Sequence, residues 1–214
     1  MWVLRERVGG YCIGNSESVK RAEIVKIFLY FDKLSFFSGV LAVKKFFFIL
    51  SRGNLLVICS VAYVLSQFLV IWLSGPTGKD IISLQLTISP EKFQGIIASW
   101  SDSGVKSYLE HLYYDYFHAV IYTLFLASFS AFSFRKKRGY IPENFIRLFL
   151  FIAVPGLLDW MENSLHLWLL SGFLSDWNFW VKVSFFASLG KWISVGFVLF
   201  MSVWALLDSY FEGD

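Results

Sequence analysis

The chain has 214 residues, of which 57% are hydrophobic and 16% are charged, and its mean hydropathy is positive. Soluble domains average about 45–50% apolar and about 25% charged residues, so this composition excludes a disordered or collagen-like chain and argues against a water-soluble enzyme. The formal charge of +3 is too small for a nucleic-acid-binding surface. Cys12 and Cys59 are too few for a disulfide framework. The composition predicts an integral membrane protein.

Residues 1–45 contain apolar stretches that are too short to cross a bilayer. We expect an N-terminal arm in the cytoplasm or on the membrane surface. The alternative is a start site assigned too early, because Lys44 and Lys45 precede the apolar run 46–50, a pattern typical of the beginning of an inserted chain. The membrane domain is predicted over residues 46–214.

Four segments are apolar enough to cross about 30 Å of hydrocarbon as helices of about 20 residues. They lie at about residues 55–73, 116–134, 148–170 and 185–207. The third segment contains Asp159, Glu162 and His166, and the fourth contains Lys191. We therefore predict an all-α polytopic membrane protein with a four-helix transmembrane bundle.

The basic residues predict the orientation of the spans, because cytoplasmic loops carry an excess of Lys and Arg. Nine basic residues precede the first span, and five lie in the loop 135–147. The segment between the first two spans has only Lys79, Lys92 and Lys106. We expect a multi-pass protein of the cell membrane with both termini in the cytoplasm and the 75–112 loop outside.

The outer loop is predicted to be helical and to cap the bundle. The breaker cluster Gly75-Pro76-Thr77-Gly78 ends the first span. Ser89 has the character of an N-cap with Pro90 at the first helical position, which predicts a helix to about Trp100. After a turn at 101–104, the helical pattern continues unbroken into the second span.

Helical spacing gathers polar residues on one face of the third span. Asp159, Glu162, Asn163 and His166 stand at i, i+3, i+4 and i+7, which is a single face. Pro155 lies one turn earlier and is expected to kink the helix. Ionisable groups at a bilayer centre cost roughly 2.5–3.5 kcal/mol each on insertion scales. This face should therefore turn towards the bundle interior.

The second and fourth spans carry polar faces at a matching depth. They comprise His111, Asp115, His118 and Tyr122 on the second span and Ser184, Ser188 and Lys191 on the fourth. We expect one buried cluster near the outer leaflet, in which Lys191 pairs with Asp159 or Glu162. Asp115 and His118 are expected to reach the polar face of the third span. A functional cluster should open into a pocket beneath the predicted helix at 89–100.

Four interpretations fit this cluster. It can hold the helices together without a further role. A metal site would use His118, Glu162 and His166, with Asp115 as an alternative carboxylate, a set suited to zinc or iron. His118 and His166 could be axial haem ligands. Asp115, Glu162 and His166 could also form a proton or ion path. No cofactor follows from the sequence, and the motifs of P-loop, Rossmann and serine-hydrolase enzymes are absent from it.

Several motifs resemble those of a known family. They are Leu84-Gln85-Leu86, Ser89-Pro90-Glu91-Lys92, Ile96-Ile97-Ala98-Ser99-Trp100, Gly104, Tyr108, Asp115, Tyr122 and Leu158-Asp159 with Glu162-Asn163. Through them, residues 46–207 resemble a family of small uncharacterised four-span integral membrane proteins of bacteria. The resemblance implies a fold and a membrane location and no activity. It does not extend to the three histidines, which weakens the metal and haem interpretations.

These observations favour a non-enzymatic membrane component whose buried polar cluster handles a small solute or protons. The alternative is a membrane-embedded hydrolase or metal-dependent enzyme that acts near the outer leaflet. The expected partner is the lipid bilayer, with a second copy of the chain or another membrane protein as a further possibility. Nucleic acid is not an expected partner.

Overall fold

The structure, a computed structural model, describes residues 43–139 and 145–211, and each regular element in these ranges is helical. The predicted all-α class is confirmed for this part of the chain. Most of the predicted arm at 1–45 lies outside the described residues. After helical residues at 43–50, six α-helices follow: α1 Gly53–Ser74, α2 Gly78–Gln85, α3 Pro90–Ala98, α4 Asp102–Arg138, α5 Phe145–Leu170 and α6 Trp177–Phe211.

Three stretches of the described chain are helical, long and apolar enough to cross a membrane. They are Gly53–Gln85, Asp102–Arg138 and Trp177–Phe211, and they contain three of the four predicted spans. The predicted span at 148–170 falls within α5, which has 26 residues and is about 39 Å long at 1.5 Å per residue. This helix carries the polar face at 159–166, and it continues through Pro155.

The central helix of the described structure is α4. It packs against α1, α5 and α6, and α5 also packs against α6. In contrast, α1 and α6 make at most marginal contact with each other. The helices α4, α5 and α6 therefore form a mutually packed group, to which α1 is attached through α4.

The chain between α1 and α4 forms a two-helix cap. Gly75 ends α1 with a positive φ of 49°, and a 3₁₀ turn over Gly75–Thr77 leads into α2, which the sequence pattern did not predict. The predicted start of α3 is confirmed, since the Ser89 hydroxyl accepts the Lys92 N–H at 3.2 Å. However, α3 ends at Ala98, before the expected end near Trp100.

A compact apolar core joins the cap to the ends of the long helices. It consists of Ile81, Leu84, Phe93, Tyr108, Leu112, Leu169 and Val181. The turn before α4 is fixed by Ser101, whose hydroxyl accepts the Gly104 N–H at 3.3 Å. From there α4 runs unbroken to Arg138, as the sequence predicts. The cap is therefore a packed part of the fold.

The close approach of α5 to α4 depends on Gly156. A Cβ atom at this position would lie 2.5 Å from Thr123 Oγ1 and 3.4 Å from the Ala119 carbonyl oxygen. Thr123 is β-branched and therefore stiff at χ1. The contact leaves almost no room for a side chain on this face of α5.

We expect Gly156→Ala to lower the melting temperature in detergent, with a loss of about 1–3 kcal/mol that is typical of overpacking. Gly196→Ala is the matched control, because no described atom lies within 4 Å of a Cβ at Gly196. It should leave the melting temperature unchanged or raise it, since Ala favours a helix over Gly by about 0.8–1.0 kcal/mol. Adding Thr123→Ala should restore part of the Gly156→Ala loss. Equal effects of the two glycine substitutions would contradict this packing.

Candidate functional site: a buried polar cavity

The centre of the site is an ion triad between α5 and α6. Lys191 Nζ donates a hydrogen bond to Asp159 Oδ1 at 2.7 Å. It also lies 2.7 Å from Glu162 Oε2, and this second contact is an ion pair without good hydrogen-bond geometry. All three side chains are buried. The predicted pairing of Lys191 is confirmed with both candidate carboxylates. The triad thus joins two carboxyl groups and one ammonium group.

Asp115 on α4 adds a third carboxylate next to this triad. Asn163 Nδ2 donates to Asp115 Oδ2 at 3.0 Å, which confirms the predicted contact between the second and third polar faces. Asp115 is only 5% exposed, and this amide is its only side-chain hydrogen bond to a described residue. Asp115 therefore has a neutral partner where buried carboxylates usually have a cation.

His166 belongs to the packed core beneath the cap. Its Nδ1 lies 2.6 Å from the Tyr108 hydroxyl on α4, and its Nε2 lies 2.6 Å from the Ser184 hydroxyl on α6. The Phe93 ring of the cap packs edge-on against the imidazole, with centroids 5.1 Å apart. Through its two ring nitrogens, His166 connects α5 to α4 and α6. Through its ring it also contacts the cap.

The two histidines of α4 form hydrogen bonds with α1. His118 Nδ1 lies 2.9 Å from the Ser66 hydroxyl, and His111 Nδ1 lies 3.0 Å from the Ser74 hydroxyl. The expectation that His118 comes within reach of Glu162, Asn163 or His166 stays a prediction. The polar face of α4 therefore lies between α1, which bonds its histidines, and α5, which bonds Asp115.

The described residues do not support the metal or haem candidates. They contain no group of three His, Cys, Asp or Glu side chains close enough to hold a metal ion. His118, Glu162 and His166 are engaged with different partners, as described above. Because hydroxyl groups occupy both ring nitrogens of His166, neither nitrogen is available as a haem ligand in this conformation.

A cavity of about 270 Å³ opens beside the polar residues. Its polar wall includes Asp115, Asp159 and Lys191, together with His111, His118 and Tyr122 of α4. Its remaining wall comes from α1, α2 and α6 and from Phe125 and Leu126 of α4. The expectation of a pocket beneath the helix at 89–100 is wrong in position, because α2 lies over the cavity and no residue of α3 lines it.

Helical spacing in the sequence does not single out four polar residues of this site. Ser66 and Ser74 of α1 bond the two histidines, and Gln67 and Gln85 line the cavity. Within an apolar run, single Ser or Gln residues give no periodic signal. The only sequence signal at Gln85 is its place in the family-like motif Leu84-Gln85-Leu86. Its place in the cavity follows from the fold of the cap.

Comparison of the chain with protein-family models, with curated proteins and with solved structures gives no significant match. The interpretation of this site therefore depends on its geometry and chemistry.

We expect Lys191→Met to lower the stability of the protein in detergent by about 3–5 kcal/mol, because it leaves two carboxylates buried without a cation. Combining it with Asp159→Asn and Glu162→Gln should recover part of the loss, since the uncompensated charges are removed. Lys182→Met, at an exposed position of the same helix, should change stability by less than about 0.5 kcal/mol. Thermal unfolding of the wild-type protein, these three variants and the Asp159→Asn/Glu162→Gln variant with Lys191 intact measures this. Additive losses would show that the three charges are not coupled.

Proposed function

We propose that the protein is a four-span integral membrane protein and a non-enzymatic component that binds a small cation in its buried cavity. The proposed cation is a protonated amine. Membership of the small four-span bacterial family that the sequence motifs resemble is part of this proposal.

The distribution of side chains on α5 supports its assignment as a fourth span. Asp159, Glu162, Asn163 and His166 are buried against α4 and α6, whereas Leu157 is 61% exposed and Trp160, Met161 and Trp168 are also exposed. A helix that buries its polar face and exposes its apolar face suits a lipid environment. The same pattern is found on α1 and α6, where exposed side chains include Phe68 and Phe200.

Most basic residues of the described chain lie at one end of the bundle, opposite the cap. Arg135 at the end of α4 donates to Ser51, just before the start of α1, at 3.0 Å. Lys137 pairs with Asp208 near the end of α6. The positive-inside rule favours a cytoplasmic location for this end. The cap and the adjoining cavity would then lie towards the outer surface.

The observation that carries the proposed ligand is the state of Asp115. This carboxylate lines the cavity, is 5% exposed, and has only a neutral amide as a hydrogen-bond partner. Lys191 is already shared by two other carboxylates. A buried charge is costly unless it is paired, so a cation next to Asp115 would complete the charge balance of the cavity.

The topology is tested with single cysteines in a background without Cys12 and Cys59. A cysteine at Ser101, before α4, should react with a membrane-impermeant thiol reagent in intact cells. A cysteine at Gly139, after α4, should react only after the cells are opened. The opposite labelling pattern would overturn the proposed orientation.

The ligand is tested with butylamine as the probe. We expect millimolar butylamine to raise the melting temperature of the purified protein. Asp115→Asn should abolish this effect. Glu110→Gln is the matched control, because this exposed carboxylate lies on the same helix and outside the cavity.

Two results would overturn the proposed function. One is the absence of a butylamine effect that depends on Asp115. The other is a stoichiometric metal in the protein purified without chelators, which would favour the metal-dependent enzyme.

A further inference from the structure

We infer that the cavity takes its ligand from the bilayer, and that this ligand is an amphiphile with an amine head group and an aliphatic chain that lies between α1 and α6. This inference rests on the proposed cation site and names the class of molecule that fills it. Three features of the cavity support it: its open side, the order of polar and apolar groups along its wall, and its unpartnered amide.

The cavity lies in a groove between two helices that do not pack together. The sides of the groove are α1 and α6, which both pack on α4 but make at most marginal contact with each other. Ile71 of α1 and Trp192 of α6 line the cavity, yet they are 60% and 48% exposed. These rim residues therefore face both the cavity and the surroundings. In a membrane, the surroundings of two such apolar helices are lipid chains.

The aqueous end of the groove is covered by the cap. Four residues of α2 line the cavity: Gly78, Ile81, Ile82 and Gln85. The same helix also contacts α6. Behind α2, Ile81 and Leu84 belong to the packed core of the cap. A ligand from water would have to pass this core, whereas a ligand from the bilayer enters through the groove.

The wall of the cavity is ordered as an amphiphile requires. The charged groups Asp115, Asp159 and Lys191 are buried. The α6 side of the groove continues along the helix through Val195 and Leu199. A cationic head would therefore lie at Asp115, and its chain would follow the apolar side of α6 towards the lipid.

Gln85 provides a second polar contact for a head group. It is 7% exposed and lines the cavity, and its side-chain amide makes no hydrogen bond to a described residue. Buried amides are normally hydrogen-bonded. The Gln85 amide can accept a hydrogen bond from an ammonium head. The Asp115 carboxylate is the group that favours an ammonium over a phosphate or a carboxylate.

The volume of the cavity fits part of such a molecule. About 270 Å³ corresponds to about nine water molecules at about 30 Å³ each. This space holds an ammonium head and the first methylene groups of a chain. The rest of the chain would extend through the groove.

Binding of radiolabelled dodecylamine to the detergent-purified full chain tests the inference, with unlabelled competitors. Dodecylamine should compete at a concentration at least tenfold lower than butylamine, a gain equivalent to burying about two further methylene groups. Dodecanoate, which has the same chain length and the opposite charge, should not compete. Because partition into micelles is the same for each protein variant, comparison between variants isolates the site.

Substitutions in the groove test the route. Val195→Trp and Ile71→Trp fill the groove from its two sides, and each should weaken dodecylamine binding at least tenfold. Val203→Trp is the matched control, because Val203 is an exposed residue of α6 that does not line the cavity. Melting temperatures identify any variant that fails to fold, and two independent groove variants keep the test decisive.

The outcomes separate this inference from the proposed function. Equal affinities for butylamine and dodecylamine, competition by dodecanoate, or unchanged dodecylamine binding in both groove variants would overturn entry from the bilayer. Butylamine binding that still depends on Asp115 would leave the cation site in place. If the wild-type protein binds neither butylamine nor dodecylamine, the cation site is overturned as well.

Discussion

The arrangement of the long helices depends on one ammonium group, Lys191, which lies between the carboxylates of Asp159 and Glu162. Removing charged groups from water costs several kcal/mol per ion even after relaxation. The cost is lowest when α5 and α6 meet along this contact. With the α5–α6 register fixed, Asn163 meets Asp115 of α4 and His166 meets Tyr108. The triad thus determines which residues of α4 can face the cavity.

Much of this geometry could be predicted from the sequence, because helical periodicity and the cost of burying charge act together. Spacing places Asp159, Glu162 and Asn163 on one face of α5. The cost of exposing that face to lipid turns it inward, where few cations are available. The pairing of Lys191 with Asp159 and Glu162 could therefore be predicted, as could the contact of Asp115 with the polar face of α5. The N-cap at Ser89 was also predictable, because proline is tolerated at the first position of a helix and disrupts its interior, so Pro90 indicates a helix start.

The remaining features depend on which helices become neighbours, and spacing along one helix does not contain that information. His118 and His111 were placed on the correct face of α4, but Ser66 and Ser74 of α1 are their partners. The short helix α2 follows a Gly-Pro turn, and its position over the cavity depends on the packing of Ile81 and Leu84 in the cap core. For the same reason the cavity was expected beneath α3, one helix away from its place in the structure.

The helices α1 and α6 are attached to the rest of the bundle by contacts of different kinds, which affects how the cavity can widen. Along the cavity, the described residues of α1 are held to α4 by contacts without an ion pair among them: hydrogen bonds of Ser66 and Ser74, and stacking of Tyr63 on Phe125. By contrast, α6 is held by the buried triad through α5 and by the Lys137–Asp208 pair at its far end. Breaking a buried ion pair is more costly than breaking a hydrogen bond between neutral groups. We therefore expect any widening of the cavity to be a displacement of α1, with α4, α5 and α6 moving as one piece.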